Sequence, residues 1–199
     1  MAKKVVALVG SYRKGGVVDS LTDEVLAAAR ARGAEVVKVF LMDKKIEFCT
    51  NCRSCTQTEG VEPAPCVQKD DMDGILDMVE KADALIIASP VNYYNITAVM
   101  RKFEERLVRF AYWPWGKSIP KMRSREAKKR AVLITASAAP SFIGRLSYGT
   151  IPALKVIAKT LGARPVRTLY AGIVALQPRE ELPERMKRKA ARAAYTLLR

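Results

Sequence analysis

Val5-Val6-Ala7-Leu8-Val9-Gly10-Ser11-Tyr12-Arg13-Lys14-Gly15-Gly16 is the stretch on which the fold turns. Its first five residues are apolar without alternation, the pattern of a strand buried on both faces of a parallel sheet. The glycine-containing loop Gly10–Ser20 leads into Leu21–Arg32, whose apolar residues recur at helical spacing, with Gly33 as the stop. Strand, glycine loop and helix in succession open a βαβ unit, and such a loop aims backbone N–H groups and a helix dipole at an anion. Ser11 adds a hydroxyl donor and Arg13 a charge, while Gly15 and Gly16 let the backbone curl close to a ligand. Neither the Gly-x-Gly-x-x-Gly of dinucleotide sites nor the Gly-Lys-Ser/Thr of a P-loop is present, so a terminal phosphate monoester suits the loop better than a pyrophosphate. A structural glycine turn is the plain alternative.

The same alternation continues to the end of the chain. Glu35–Leu41 reads as a second strand, and a long loop from about Asp43 to Lys69 follows. Asp70-Asp71 reads as the N-cap of a helix over Met72–Lys81. Ala84–Ala88 is a third strand, after which Asn95 or Thr97 caps a helix through Arg109. Ala131–Thr135 is the fourth strand, Ala136–Ser147 a loop, and Ile151–Leu161 a helix closed by Gly162. Pro165–Val174 is the fifth strand, and Pro183 opens a basic final helix to Arg199. Lys117–Arg130 is basic and poor in apolar residues, and reads as a loop. Strands alternating with helices call for an α/β three-layer sandwich, here a single flavodoxin-like domain over residues 1–199 with a five-stranded parallel sheet of order 2-1-3-4-5. Ligands bind such sheets outside the carboxyl ends of the strands, where Gly10–Ser20, Ser89–Thr97 and Ala136–Ser147 would meet.

Composition narrows the chemistry. The 199 residues carry 35 Lys and Arg against 20 Asp and Glu, a formal charge of +15, which favours phosphates, nucleotides, acidic proteins and nucleic acid without choosing among them. There is no histidine. That removes Ser-His-Asp and Cys-His catalysis and leaves a cofactor, carboxylates or thiols to carry any reaction. The apolar run at Val5–Val9 is too short for a signal peptide, and no stretch approaches a membrane span, so a cytoplasmic protein without membrane contact is expected. All four cysteines fall within the 43–69 insertion, as Cys49-x2-Cys52-x2-Cys55 followed by Cys66. Four thiolates this close can complete the shell of a 4Fe-4S cluster. Zinc and redox-active or free thiols remain alternatives, although zinc more often takes two separated pairs.

Ser89-Pro90-Val91-Asn92-Tyr93-Tyr94-Asn95 combines apolar walls, aromatic faces and amides, suited to a flat heteroaromatic ring with a polar edge. An ordinary βα turn with packed tyrosines is the alternative. Together with Gly10-Ser11-x-Arg13-Lys14-Gly15-Gly16, the cysteine run leading to Asp70-Asp71-Met72, and Arg106 downstream, this segment resembles the NADPH-dependent FMN reductase family. Within it the chain looks most like the iron–sulfur flavoprotein branch. The resemblance implies a flavodoxin-like fold, bound FMN, NAD(P)H as co-substrate, and homodimers or homotetramers. By matching position it places the phosphate on Ser11, Arg13, Gly16, Val17 and Val18, and the flavin ring against Pro90 to Asn95, with Ser89 beside them and Ser137 closing the third side. Three positions depart from the family pattern. Val17-Val18 stand where Asn-Thr is common, with Ser20 the hydroxyl placed to compensate; Asn92 stands where tyrosine is common; and the gap from Cys55 to Cys66 is long.

The resulting expectation is an FMN-binding oxidoreductase that passes electrons from NAD(P)H to a flavin, quinone or electron carrier. The alternative is a non-enzymatic electron-transfer protein with a 4Fe-4S cluster and an acidic carrier as partner. Nucleic acid is not expected, since the basic runs carry no recognised motif. Phe110-Ala111-Tyr112-Trp113-Pro114-Trp115 is left between a subunit contact, a lid over the flavin, and packing at a helix end.

Overall fold

The computed structural model of the chain describes residues 2–123, 126–174 and 181–199. Strands β1 (Lys4–Val9), β2 (Glu35–Phe40), β3 (Ala84–Ala88), β6 (Lys129–Ala136) and β7 (Ala163–Ala171) form one sheet. Every pairing is parallel, in the order β2-β1-β3-β6-β7. With the short hairpin β4 (Ala111–Tyr112) and β5 (Lys121–Met122) set aside, that is the expected 2-1-3-4-5 arrangement. The switch of direction between β1 and β3 opens a crevice at their carboxyl ends.

The apolar runs alternate between the two faces of the sheet. Val5, Ala7, Val9, Ile86, Val132 and Ile134 pack under α1 (Val17–Arg30) and α6 (Glu184–Leu198). Val6, Leu8, Leu85, Ile87 and Leu133 pack under α2 (Met72–Glu80), α3 (Ala98–Glu105) and α5 (Thr150–Thr160). Covering both faces is what lets these strands be apolar throughout. The alanines Ala190, Ala193 and Ala194 of α6 let that strongly basic helix approach the core closely, its charges on the outer side.

Several boundaries differ from the sequence reading. Helix α1 begins at Val17, a turn before Leu21, because side chains of its first turn fold back onto the preceding glycine: Asp19 Oδ2 accepts from the Gly15 N–H at 2.8 Å and Ser20 Oγ donates to the Gly15 carbonyl at 3.2 Å. Thr97 rather than Asn95 caps α3, its hydroxyl oxygen accepting from the Met100 N–H. The α-helix then ends at Glu105 and tightens into a 3-10 turn over Arg106–Phe110, which turns Arg106, Leu107 and Phe110 inward. Part of the expected loop Ala136–Ser147 is a short helix, α4 (Ser141–Ser147). The glycine within it is a steric requirement, since a Cβ on Gly144 would lie 1.9 Å from the Tyr170 hydroxyl. The basic segment Lys117–Arg130 contributes β5 and the start of β6; its residues 124–125 lie outside the described residues. Among the described residues no helix is long and apolar enough to cross a membrane.

Candidate functional site

At the carboxyl ends of β1, β3 and β6 lies a cavity of about 350 Å³. One end is built from Ser11, Tyr12, Arg13, Gly16, Val17 and Val18. The N-terminus of α1 has no side-chain cap, so the first-turn N–H groups, which lack intrahelical acceptors, remain open toward the cavity. Arg13 is exposed and makes no ion pair among the described residues. Ser11 spends its hydroxyl locally, donating to the Arg13 carbonyl at 3.2 Å and accepting from the Arg13 N–H at 3.1 Å, which curls the loop. Ser20 is turned back to Gly15 and is not part of the lining, so its hydroxyl does not take the place of the Asn-Thr pair.

Asp19 is a site residue that sequence reasoning missed. Its buried carboxylate holds the Gly15 N–H and also accepts from Lys38 Nζ at 2.8 Å. Burial alone would lower the Lys38 pKa, but its bonds to Asp19 and Asp23 outweigh that and raise it. An ammonium thus neutralises the one carboxylate that lies within the anion loop. The signal was available: an acidic residue in the first turn behind a glycine pair.

The other end of the cavity is formed by Pro90, Val91, Asn92, Thr97, Ala136, Ser137, Ala138 and Val174. Tertiary hydrogen bonds lock these walls to the first loop. Thr97 Oγ1 donates to the Gly10 carbonyl at 2.5 Å, and the Ala98 N–H donates to the Tyr12 hydroxyl at 3.0 Å. The backbone donors that follow Pro90 are already used: Val91 N–H bonds Ala136 O and Asn92 N–H bonds Asn95 O, both at 2.8 Å. The exposed side-chain amide of Asn92, by contrast, is unbonded among the described residues. Ser137 receives the Tyr170 hydroxyl at 2.8 Å and donates to Ala139 O at 2.9 Å, leaving an acceptor lone pair for a ligand. Burial, ahead of a weaker opposing hydrogen bond to Ser137, raises the Tyr170 pKa and keeps that phenol protonated. Ser89 is fully buried; it donates to Pro90 O and accepts from Thr97 N–H, which gives it a role in the wall behind the lining.

Tyr93 and Tyr94 line a smaller pocket of about 170 Å³ that shares Val91, Ser137 and Ala138 with this cavity, while Asn95 lines neither. Asn92 and Asn95 close a tight turn whose central residues, Tyr93 and Tyr94, both have positive φ, 45° and 68°. Such turns favour glycine and asparagine, and bulky residues in the left-handed region are strained. The turn is held from outside, with Tyr94 O accepting from Gly149 N–H at 2.9 Å and Tyr94 meeting the Tyr148 ring edge-on. Tyr93 is 94% exposed. Replacing it with glycine relieves strain at little loss of burial, so Tyr93→Gly is expected to stabilise the fold by about 1 kcal/mol in denaturant unfolding.

The cysteines form a second centre. All four are free thiols; Cys52 is exposed, Cys49 and Cys66 half-buried, and Cys55 only 8% exposed. Burial, and after it the charges of Cys66, Cys49 and Cys52, push the Cys55 thiol up. Hydrogen bonds from the Ser54 hydroxyl and N–H lower the Cys52 pKa. Among the described residues no three Cys, Asp or Glu side chains are grouped as a ready metal shell. Arg106 closes this centre from below. Its guanidinium donates to Asp70 at 2.5 Å, to the Glu47 carbonyl at 3.0 Å, to Gln68 Oε1 at 2.8 Å and to Cys66 Sγ at 3.4 Å. Both ends of the cysteine loop are thereby drawn to one cation. Asp70 does bond the Met72 N–H, but Asp71 makes no cap and instead accepts from the Lys45 N–H.

Residues 3–174 match the family model described as NADPH-dependent FMN reductase. An iron-sulfur flavoprotein of Archaeoglobus fulgidus is 40% identical over 111 residues, covering 56% of this chain and 48% of that protein. Another, from Methanosarcina thermophila, is 31% identical over 105 residues, covering 53% of this chain and 52% of the relative. The chain thus spans about half the length of the curated relatives it matches. In fold it is similar to an NAD(P)H:quinone oxidoreductase from Methanothermobacter marburgensis, with TM-score 0.71, 16% identity, and coverage of 100% of this chain and 98% of that one. It is also similar to an FMN-dependent NADH-azoreductase of Bacillus anthracis solved with FMN, with TM-score 0.70, 13% identity, and coverage of 99% and 100%.

Proposed function

Because the chain belongs to the NADPH-dependent FMN reductase family, we propose that it is a flavin oxidoreductase that binds FMN in the cavity at the ends of β1, β3 and β6. Its expected activity is to pass electrons from NAD(P)H to an acceptor such as a flavin, a quinone or a carrier protein. The observation that carries this reading is the polarity of the cavity. An uncapped helix N-terminus lies at one end, with an Arg13 that has no ion-pair partner among the described residues, and walls at Pro90–Asn92 and Ala136–Ala138 lie at the other. Those residues fit a phosphate monoester joined to a planar ring.

Bound FMN supplies acceptance of hydride from a nicotinamide and delivery of electrons in ones or twos. The chain supplies position. Arg13 and the first-turn N–H groups of α1 would hold the phosphate, while Pro90, Val91 and Val174, which line the other end of the cavity, would exclude water from the ring. Asn92 and Ser137 offer the ring edge a donor and an acceptor. No side chain of the cavity is asked to move a proton, in keeping with the absence of histidine.

Purified protein with flavin absorption bands, one FMN bound per chain, and NAD(P)H oxidation in the presence of quinone, free flavin or ferric acceptors would bear this out. Failure to bind FMN at micromolar concentration would overturn it.

A second centre for electrons is supported by the spacing Cys49-x2-Cys52-x2-Cys55 with Cys66 in the same loop, a purely thiol donor set of the kind a 4Fe-4S cluster takes. Arg106, through its N–H to Cys66, would orient one ligand. Held by these thiols, such a cluster would supply single-electron transfer, and the charge of +15 suits an acidic carrier as recipient. Anaerobic reconstitution with iron and sulfide tests this: about four irons per chain is the expected uptake, and none would remove the cluster. A homodimer or homotetramer is the expected assembly, readable by light scattering.

A further inference from the structure

The aromatic segment Phe110–Trp115 contributes nothing to the flavin cavity. What it meets is the cysteine loop. Arg53, in the chain between Cys52 and Cys55, lies with its guanidinium carbon 3.8 Å from the Trp113 ring centre and 4.2 Å from that of Trp115. Its Nη2 donates to the Trp113 carbonyl at 2.6 Å and the Pro114 carbonyl at 3.0 Å. The hairpin bonds back: Trp113 N–H donates to Thr56 O at 2.8 Å, and Trp115 N–H to Gln57 Oε1 at 3.0 Å. Farther along, the buried Arg123 holds the Thr58 and Gly60 carbonyls at 2.8 and 2.6 Å. The hairpin and the loop are therefore one unit.

Arg53 is an unusual residue to find so placed. No carboxylate pairs with it among the described residues, its Nε is buried without a partner, and its backbone sits at a positive φ of 59°. A half-buried cation without a counter-ion is unfavourable, and so is the left-handed conformation. Two indole faces and two carbonyls offset both, a geometry that a planar guanidinium satisfies and an ammonium does not. The outcome is local: the 3-10 turn Ser54–Thr56, which carries Cys55, is closed by Thr56 Oγ1 and Gln57 Nε2 donating to the Arg53 carbonyl at 2.8 and 3.0 Å.

We propose that Arg53, gripped between Trp113 and Trp115, is the positioning residue of the cysteine site, and that the aromatic hairpin serves the thiols and not the flavin. The stack sets the turn that buries Cys55. This holds whether the thiols carry a cluster or stay free, so it stands apart from the flavin and cluster readings.

The test is alkylation of the metal-free protein by iodoacetamide, with each cysteine followed by mass spectrometry. In Arg53→Met and Trp113→Ala the rate at Cys55 is expected to rise about tenfold, as local opening becomes easier. Trp113→Phe, which keeps a π face, should restore most of the protection, whereas Arg53→Lys should not, because its ammonium cannot stack. FMN affinity, measured on the same samples, should be unchanged in all four. Unaltered protection of Cys55 in Arg53→Met and Trp113→Ala would overturn the proposal, as would protection by Arg53→Lys equal to wild type. Loss of FMN affinity in step with loss of protection would also overturn it, since the stack would then support the whole fold. A wild-type chain that takes up no iron counts against the cluster alone.

Discussion

Arg106→Leu is expected to lower the unfolding free energy by about 3–5 kcal/mol, the range for removing one partner of a buried ion pair. Arg106 and Asp70 have side chains only 3% and 1% exposed, so the variant leaves a carboxylate in the interior without its cation. The same change releases Glu47 O, Gln68 and Cys66, loosening both ends of the cysteine loop. Denaturant unfolding gives the number through a shift in midpoint at constant slope. Joint replacement of Arg106 and Asp70 by leucines should recover part of the loss, because no unpaired charge then remains.

The pH dependence of this pair has a definite sign. Burial alone would raise the Asp70 pKa, but hydrogen bonds from Arg106 and the Glu47 and Met72 N–H groups, with the Arg106 charge, outweigh it and hold it below the usual carboxylate value. A folded-state pKa below the unfolded one means that the unfolded chain binds the proton more readily. The stabilisation is therefore complete above about pH 4 to 5 and is lost as pH falls through the depressed folded value. Comparing wild type with Asp70→Asn, the difference in stability should be largest near neutrality and shrink in acid. A difference that grows in acid would contradict the pairing.

Arg13→Glu is expected to weaken FMN binding about 100-fold, since it removes a charge-assisted bond to phosphate and places a like charge in its stead. Arg13→Ala should lose about tenfold. Both follow from an exposed guanidinium that has no carboxylate partner among the described residues and lines the anion end of the cavity. Fluorescence titration with FMN and with riboflavin separates the cause. Riboflavin lacks the phosphate, so its affinity should be unaffected by either change. Equal losses for both ligands would place Arg13 outside phosphate recognition. Added salt should weaken the wild type more than Arg13→Ala, because an exposed charge is screened.

Much of this was legible in the chain. Val5–Val9 and Ala84–Ala88 announce doubly covered strands because burial on both faces demands unbroken apolar runs, and the order of the sheet follows from the alternation of elements. Ser11, Arg13, Gly16, Pro90, Val91 and Asn92 were selected by the loops that carry them and Ser137 by the family resemblance, and the fold brings them to one cavity. Other readings needed the third dimension. Tyr93 and Tyr94 have no local preference for a turn with positive φ, and the Asn92–Asn95 bridge together with Gly149 and Tyr148 keeps them in one. Helix α4 is seven residues long with a glycine inside, too short to show a period; its glycine is explained only by Tyr170 from β7. The aromatic segment stayed ambiguous because its partner, Arg53, lies about sixty residues upstream.

By itself, then, the sequence determined the five central strands and the helices between them, since local propensity and apolar periodicity are properties of neighbouring residues, and their alternation called for the parallel sheet whose end loops face the crevice. Only the tertiary structure decided which polar groups are left over for a ligand and which are already used. Val91 N–H is taken by Ala136, Ser20 by Gly15 and Asp70 by Arg106, whereas Arg13 and Asn92 are left facing the cavity. The reason is that each donor and acceptor has a small bonding capacity. Whether that capacity is spent depends on segments that folding alone brings together.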